Sequence, residues 1–188
     1  MARLIFSAIA SVDGYTVDSS GSFDWAAPDP DVHAFVNDLE RDVGTYLYGR
    51  RMYETMRVWQ DVPDDSDEPA IADYARVWRH ADKIVFSSTR EAVTTPRTTL
   101  ERSFDELRVR TLIDRSEADL SIGGPTLARS ALAAGLIDEV RLLVVPVSVG
   151  GGIPALPVDQ FVQLTLLDER RFAGGTVYLR YEVMRRTV

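Results

Sequence analysis

The sequence predicts an α/β fold: a mixed, mostly parallel sheet flanked by helices, with antiparallel strands at its C-terminal edge. Three observations carry this. Short apolar runs of strand length alternate with segments of helical period over residues 1–134, the pattern of strand–helix–strand units. The last third is rich in strand-forming runs joined by Gly/Pro loops, which calls for antiparallel pairing at one edge. The chain has 188 residues, 45% of them hydrophobic and 27% charged, enough for one domain spanning 1–188 with a core that needs no metal or disulfide.

In chain order, Arg3 to Ala10 is an apolar run with the length of a buried strand. Asp13-Gly14 makes a turn before the short apolar stretch Tyr15 to Val17. Residues 18–30, rich in Ser, Gly, Asp and Pro, form a loop that carries Phe23 and Trp25. Val32, Phe35, Val36 and Leu39 recur at helical spacing as a core stripe, with Asp29 or Asp31 as N-cap. Thr45 to Gly49 reads as a strand and Arg50 to Trp59 as a helix. The acidic stretch from Asp61 is a solvated loop ahead of a helix from Ala70 to Arg79. Lys83 to Ser87 and Thr98 to Arg102 are strands, and Phe104 to Asp114 is a helix. Asp119 to Ile122 is a strand running into Gly123-Gly124, and Pro125 to Ala134 is a helix stopped by Gly135 in a left-handed conformation. Glu139 to Val147, Gln163 to Arg170 and Thr176 to Met184 complete the β structure.

Composition narrows the partners. The formal net charge is −8 and no Lys/Arg run exceeds two, so nucleic acid is not expected. The N-terminal apolar run is far below the roughly 20 residues of a membrane span and lacks the signature of a secretory signal. No membrane partner is expected, and a cytoplasmic location fits. The absence of cysteine removes disulfides, thiolate metal sites and a thiol nucleophile. His33 and His80 are too few and too far apart to argue a metal site; both read as surface or helix-face residues.

Four segments can carry chemistry. In Ile122-Gly123-Gly124-Pro125-Thr126-Leu127 a strand ends in two glycines and a helix opens on proline. Glycine admits a ligand close to the backbone, and the helix N-terminus offers N–H groups and partial positive charge to a pyrophosphate. The segment matches neither GxGxxG nor the Walker pattern, and an unliganded tight turn is the plain alternative. In Tyr48-Gly49-Arg50-Arg51-Met52-Tyr53-Glu54 two arginines occupy a helix's first turn, where the macrodipole disfavours cations unless an anion joins them. Solvated arginines matched by Glu54 are the alternative. Ser87-Ser88-Thr89-Arg90 places three hydroxyls and a guanidinium beyond a strand, a set suited to a phosphate monoester, or an ordinary polar loop. Ala10-Ser11-Val12-Asp13-Gly14 puts a serine and a carboxylate beside a glycine turn, able to bind a polar heterocycle or simply to turn the chain. Together, several strand-end anion sites on an acidic chain favour a dinucleotide phosphate.

In their order and spacing these motifs resemble the dihydrofolate reductase-like superfamily, closest to the reductase domain of the bifunctional riboflavin-biosynthesis deaminase/reductase. Leu136-Ile137-Asp138-Glu139-Val140 and Pro146 to Pro154, with Gly150-Gly151-Gly152, extend the likeness over nearly the whole chain. The resemblance implies NADPH lying across strand ends. Gly123, Gly124, Pro125, Thr126 and Leu127 would sit at the pyrophosphate with Gly49, Arg50 and Arg51. Ser87, Ser88 and Thr89 would lie toward the 2′-phosphate, assisted by Arg90. Ala10 and Val17 would border the nicotinamide. Ser11 and Asp13 match the substrate side, Trp25 is a candidate to stack on substrate, and Asp13 is the candidate to orient it or relay a proton.

The implied activity is NADPH-dependent reduction of a small polar heterocycle, similar to that of 5-amino-6-(5-phosphoribosylamino)uracil reductase, by a homodimer. Folate reductases carry an acid on the helix before the Gly-Arg motif; at that spacing stand Asp31, Val32 and His33. Dihydrofolate or pterin reduction is therefore the alternative, alongside a non-catalytic NADPH-binding paralogue and an unliganded interaction domain. No zinc deaminase half is present, since its ligands are lacking.

Overall fold

Strands β1 (Leu4–Ser11), β3 (Val43–Gly49), β4 (Asp82–Phe86) and β6 (Asp119–Gly123) form from short, largely buried runs, as interior parallel strands require. The computed structural model describes residues 1–184. The remaining strands are β2 (Tyr15–Asp18), β5 (Thr98–Glu101), β7 (Glu139–Val145), β8 (Gly152–Pro154), β9 (Leu164–Arg171) and β10 (Val177–Val183). Helices are α1 (Pro30–Glu40), α2 (Arg50–Met56), α3 (Pro69–His80), α4 (Glu106–Arg115) and α5 (Pro125–Ala133).

The main sheet has eight strands in the order β5-β4-β3-β6-β1-β7-β10-β9. The pairs from β5 to β7 are parallel; β10 runs antiparallel to both β7 and β9. The sequence therefore predicted the architecture. A separate two-stranded ribbon pairs β2 with β8, linking the segment after β1 to the segment after β7.

Both faces are covered. Leu4, Phe6, Leu47, Leu120, Ile122 and Val140 pack against Val109 of α4 and Ala128 and Ala131 of α5. On the opposite face Tyr46, Tyr48 and Val85 meet Tyr53, Tyr74 and Trp78 of α2 and α3. The stripe Val32, Phe35, Val36, Leu39 closes over Ile9, Leu143, Phe172 and Tyr178, the core role its spacing predicts. Asp29 occupies the N-cap position of α1 but caps with its backbone: its carbonyl takes the His33 N–H at 2.8 Å, and its side chain makes no cap bond. The α2 helix is shorter than its sequence suggests, because residues 57–60 tighten into a 3-10 turn. Gly135 has φ 61°, as expected of a helix stop.

Candidate functional site

Because β1, β3, β4 and β6 are parallel and adjacent, their C-terminal ends, Ser11, Gly49, Phe86 and Gly123, lie along one edge. Two contacts bind the following segments together. Arg50 Nη1 donates to Thr89 Oγ1 at 3.3 Å, joining α2 to the loop after β4. Met52 lies against Gly123 and Gly124, where an added Cβ would meet it at 3.1 and 3.4 Å, joining α2 to the β6–α5 turn. The three anion-suited segments thus share one rim. Open α/β sheets bind ligands beyond such strand ends.

Gly124, with φ +92°, is the N-cap of α5 and provides no capping side chain. Pro125 has no N–H, and Thr126 and Leu127 occupy the first turn, whose N–H groups lie N-terminal to the helical ladder. The Thr126 side chain is exposed, whereas Leu127 packs into the core and presents only backbone to the rim. Gly49 is extended, with φ −75°, and a Cβ there would meet nothing within 4 Å. Arg50 also faces Glu54 at 3.9 Å. Arg51 is exposed and has no side-chain hydrogen bond or ion pair among the described residues.

Several polar residues serve their own loops instead. Ser87 is buried, and its Oγ accepts the N–H of Arg90 at 3.0 Å and of Thr89 at 3.4 Å. Ser88 and Thr89 remain exposed. Arg90, expected to assist at a phosphate, lies over the Tyr53 ring, donates to the Ala92 carbonyl at 2.7 Å and pairs with Glu54 at 3.3 Å. Its charge is already matched.

At the other end of the rim, Ala10 and Ser11 are buried. Ser11 Oγ accepts the Tyr15 N–H at 3.0 Å, so its hydroxyl holds the turn. Val17 is half-buried in the ribbon opposite Ile153. Trp25 is half-buried in a 3-10 turn (Asp24–Ala26) and donates Nε1–H to the Ser22 carbonyl at 3.3 Å. Asp13 takes the N–H groups of Val149 at 3.1 Å and Gly150 at 2.7 Å. Hydrogen bonding from Ser11, Gly150, Val149 and Ser148 holds its carboxyl well below the usual carboxylate range, so it carries no proton near neutrality. Its geometry is that of a clamp between the segments after β1 and β7. Asp13→Ala is expected to accelerate hydrogen exchange at the Val149 and Gly150 amides by roughly tenfold or more. Unchanged protection would refute the clamp. Its folded pKa is lowered, so the clamp persists at neutral and mildly acidic pH and is lost only as pH falls below the ordinary carboxylate range.

Sequence reasoning missed Met52, which is visible only as the third residue beyond Gly49. It also took His33 for an ordinary helix-face residue; the ring is half-buried between Trp59 and Tyr74, at centroid separations of 6.0 and 5.9 Å.

A mixed eight-stranded sheet with glycine-led helix starts along its parallel strand ends is the dihydrofolate reductase-like fold. Residues 2–178 match the model of the RibD C-terminal domain, and the chain belongs to that family. It is 28% identical over 182 residues to an uncharacterized protein, YyaP, of Bacillus subtilis, covering 95% of this chain and 94% of that one. A putative riboflavin biosynthesis protein from Shewanella sp. PV-4 superposes with TM-score 0.74 at 21% identity, over 97% and 99% of the two chains. A diaminohydroxyphosphoribosylaminopyrimidine deaminase/5-amino-6-(5-phosphoribosylamino)uracil reductase from Thermotoga maritima gives TM-score 0.66 at 14% identity, over 97% of this chain and 57% of that larger one. Dihydrofolate reductase from Enterococcus faecalis, complexed with NADP(H), gives 0.60 at 14%, over 96% of each.

Proposed function

We propose that this chain is an NADPH-dependent oxidoreductase that reduces a C=N or C=O bond of a small polar heterocycle, in the manner of 5-amino-6-(5-phosphoribosylamino)uracil reductase. The carrying observation is the rim itself: the open position above Gly49, the uncapped start of α5 and Arg51, unpaired among the described residues, lie along one edge. These groups fit a pyrophosphate, and exposed Ser88 and Thr89 with Arg50 beside them fit the 2′-phosphate. The cofactor supplies hydride; the chain binds, orients and excludes water.

Dihydrofolate is the less favoured substrate. Of the residues at the spacing of the folate acid, Asp31 is exposed and Val32 is buried in the core, so neither brings a carboxylate to the interior. Asp13, with Ser11 behind it, shapes the substrate end, and Trp25 borders it. The same reading has residues 1–188 acting as one domain, as a homodimer in the cytoplasm, which sedimentation and cell fractionation measure.

The test is fluorescence titration with NADPH and NADH. NADPH is expected to bind about tenfold to hundredfold tighter, the worth of one charge-assisted hydrogen bond to its extra phosphate. Equal affinity would refute the 2′-phosphate assignment, and binding of neither would refute the whole reading. Binding without oxidation by any pyrimidine or pterin substrate would leave the non-catalytic paralogue.

A further inference from the structure

We infer that Tyr53 is a positioning residue for cofactor selectivity: its buried hydroxyl latches the loop between β4 and β5 onto α2, so that Ser88 and Thr89 stand ready for the 2′-phosphate. The inference rests on the 2′-phosphate reading above and names what sets its strength. NADPH and NADH differ only by that phosphate, so whatever orders this loop governs the choice between them.

The loop, residues 87–97, has neither helix nor strand of its own. A loose segment of this kind is ordered only as ligand arrives, at a cost taken from affinity. One face of α2 prevents that. Arg50, Tyr53 and Glu54 are three and four residues apart and project from the same side of the helix. Arg50 Nη1 reaches Thr89 Oγ1 at 3.3 Å, and Glu54 Oε1 takes Arg90 Nη1 at 3.3 Å. Tyr53 meets the far half of the loop, at Thr94 and Thr95. From other sides the Ser87 hydroxyl accepts the N–H of Arg90, and Arg102 Nη1 donates to the Arg90 carbonyl at 2.5 Å. Val93 packs against the aromatic cluster to which Tyr53 belongs.

Among these grips only Tyr53 reaches out of the core. Its ring is 0% exposed, in one cluster with Tyr48, Trp78 and Val85, a place that phenylalanine would fill as well. The hydroxyl is what phenylalanine lacks. Its oxygen accepts the N–H of Thr94 at 3.1 Å and of Thr95 at 3.2 Å, and lies 3.0 Å from Thr95 Oγ1. The direction of the chain follows from its far end. Thr98 Oγ1 donates to the Pro96 carbonyl at 3.0 Å, an atom that can only accept. Thr95 Oγ1, 2.8 Å from Thr98 Oγ1, therefore donates to it, and Tyr53 donates to Thr95. The phenol thus uses its hydrogen and both lone pairs, and every partner it has is in the loop. Arg90 also lies over its ring, with Cζ 4.8 Å from the centroid. One side chain therefore holds the loop at Arg90 and again at Thr94 and Thr95, on either side of its exposed tip.

Fluorescence titration of the full chain with NADPH and with NADH tests this for the unmutated protein, Tyr53→Phe and Thr95→Val. Tyr53→Phe keeps the ring and removes the latch. Its NADPH Kd should rise about tenfold, the size of the cost of ordering a few loop groups, while its NADH Kd stays within about twofold. Thr95→Val keeps both N–H bonds but leaves the phenol hydrogen without its acceptor, and should lower the NADPH preference by about threefold. With no cofactor present, hydrogen exchange at the Thr94 and Thr95 amides should accelerate about tenfold or more in Tyr53→Phe. A tyrosine that merely supported the fold would weaken both cofactors alike. That parallel loss, an unchanged affinity ratio, or unaltered exchange in Tyr53→Phe overturns the proposal while NADPH binding stands. Should Tyr53→Phe not fold, an unchanged ratio in Thr95→Val overturns it in the same way. An unmutated chain that binds both cofactors equally overturns the 2′-phosphate reading and takes the proposal with it.

Discussion

Reversing both charges in Arg50→Glu/Arg51→Glu is expected to weaken NADPH binding about 10²- to 10⁴-fold, since each charge-assisted hydrogen bond to phosphate is worth roughly 1.5–3 kcal/mol. The fold should not share the loss. Both side chains are exposed, and the ion pair of Arg50 with Glu54 at 3.9 Å is half-solvated and worth little. The macrodipole even runs the other way, because acids at a helix start are favoured over bases. A helix α2 as stable as before, or more so, with ligand affinity gone, separates binding from folding by the sign of the two effects. Circular dichroism melts and NADPH fluorescence quenching read them side by side. Raising salt should weaken the unmutated protein's affinity and barely move the variant's. An unaltered Kd in the variant would remove these arginines from the site.

The same rim shows what a sequence can reveal of a site. The alternation of strands and helices is a local property, and so is the glycine pair that ends β6 against a helix start; both read directly from spacing. The conformations of Gly124 and Gly135 follow from neighbouring residues. Polar side chains beyond strand ends are different. Ser11, Ser87 and Arg90 looked like ligand donors, yet each has a backbone group within four residues that it satisfies first. Asp13 finds its partners 136 and 137 residues away, on the far side of a strand pairing that no local pattern encodes. His33 and Asn37 are four apart on one helix, a legible pair, but their direction comes from Asp73 on another helix 36 residues beyond Asn37. Residue types survived the passage from sequence to structure; their commitments did not.

Two glycines on this rim should respond to the same substitution in opposite ways. Gly123→Ala places a methyl 2.8 Å from Tyr48 Cε1 and 3.1 Å from Met52 Cγ. The tyrosine cannot retreat: it is buried, stacks on Tyr46 with centroids 5.5 Å apart, and its hydroxyl accepts the Trp78 Nε1–H at 3.2 Å. Overpacking of this kind costs about 1–3 kcal/mol. For a chain of this size that lowers Tm by roughly 2–12 °C. Gly49→Ala meets no atom within 4 Å and has a φ of −75° that alanine adopts freely, so Tm should move by no more than a degree or two. Its methyl instead stands in the open position assigned to the cofactor, where NADPH affinity should fall by at least tenfold. If Gly49→Ala binds NADPH as well as the unmutated protein, that space is not occupied by ligand. If Gly123→Ala leaves Tm unchanged, the close approach of β6 to Tyr48 is softer than its geometry implies. The pair distinguishes a glycine kept for packing from one kept for a ligand, which neither neighbouring sequence could do alone.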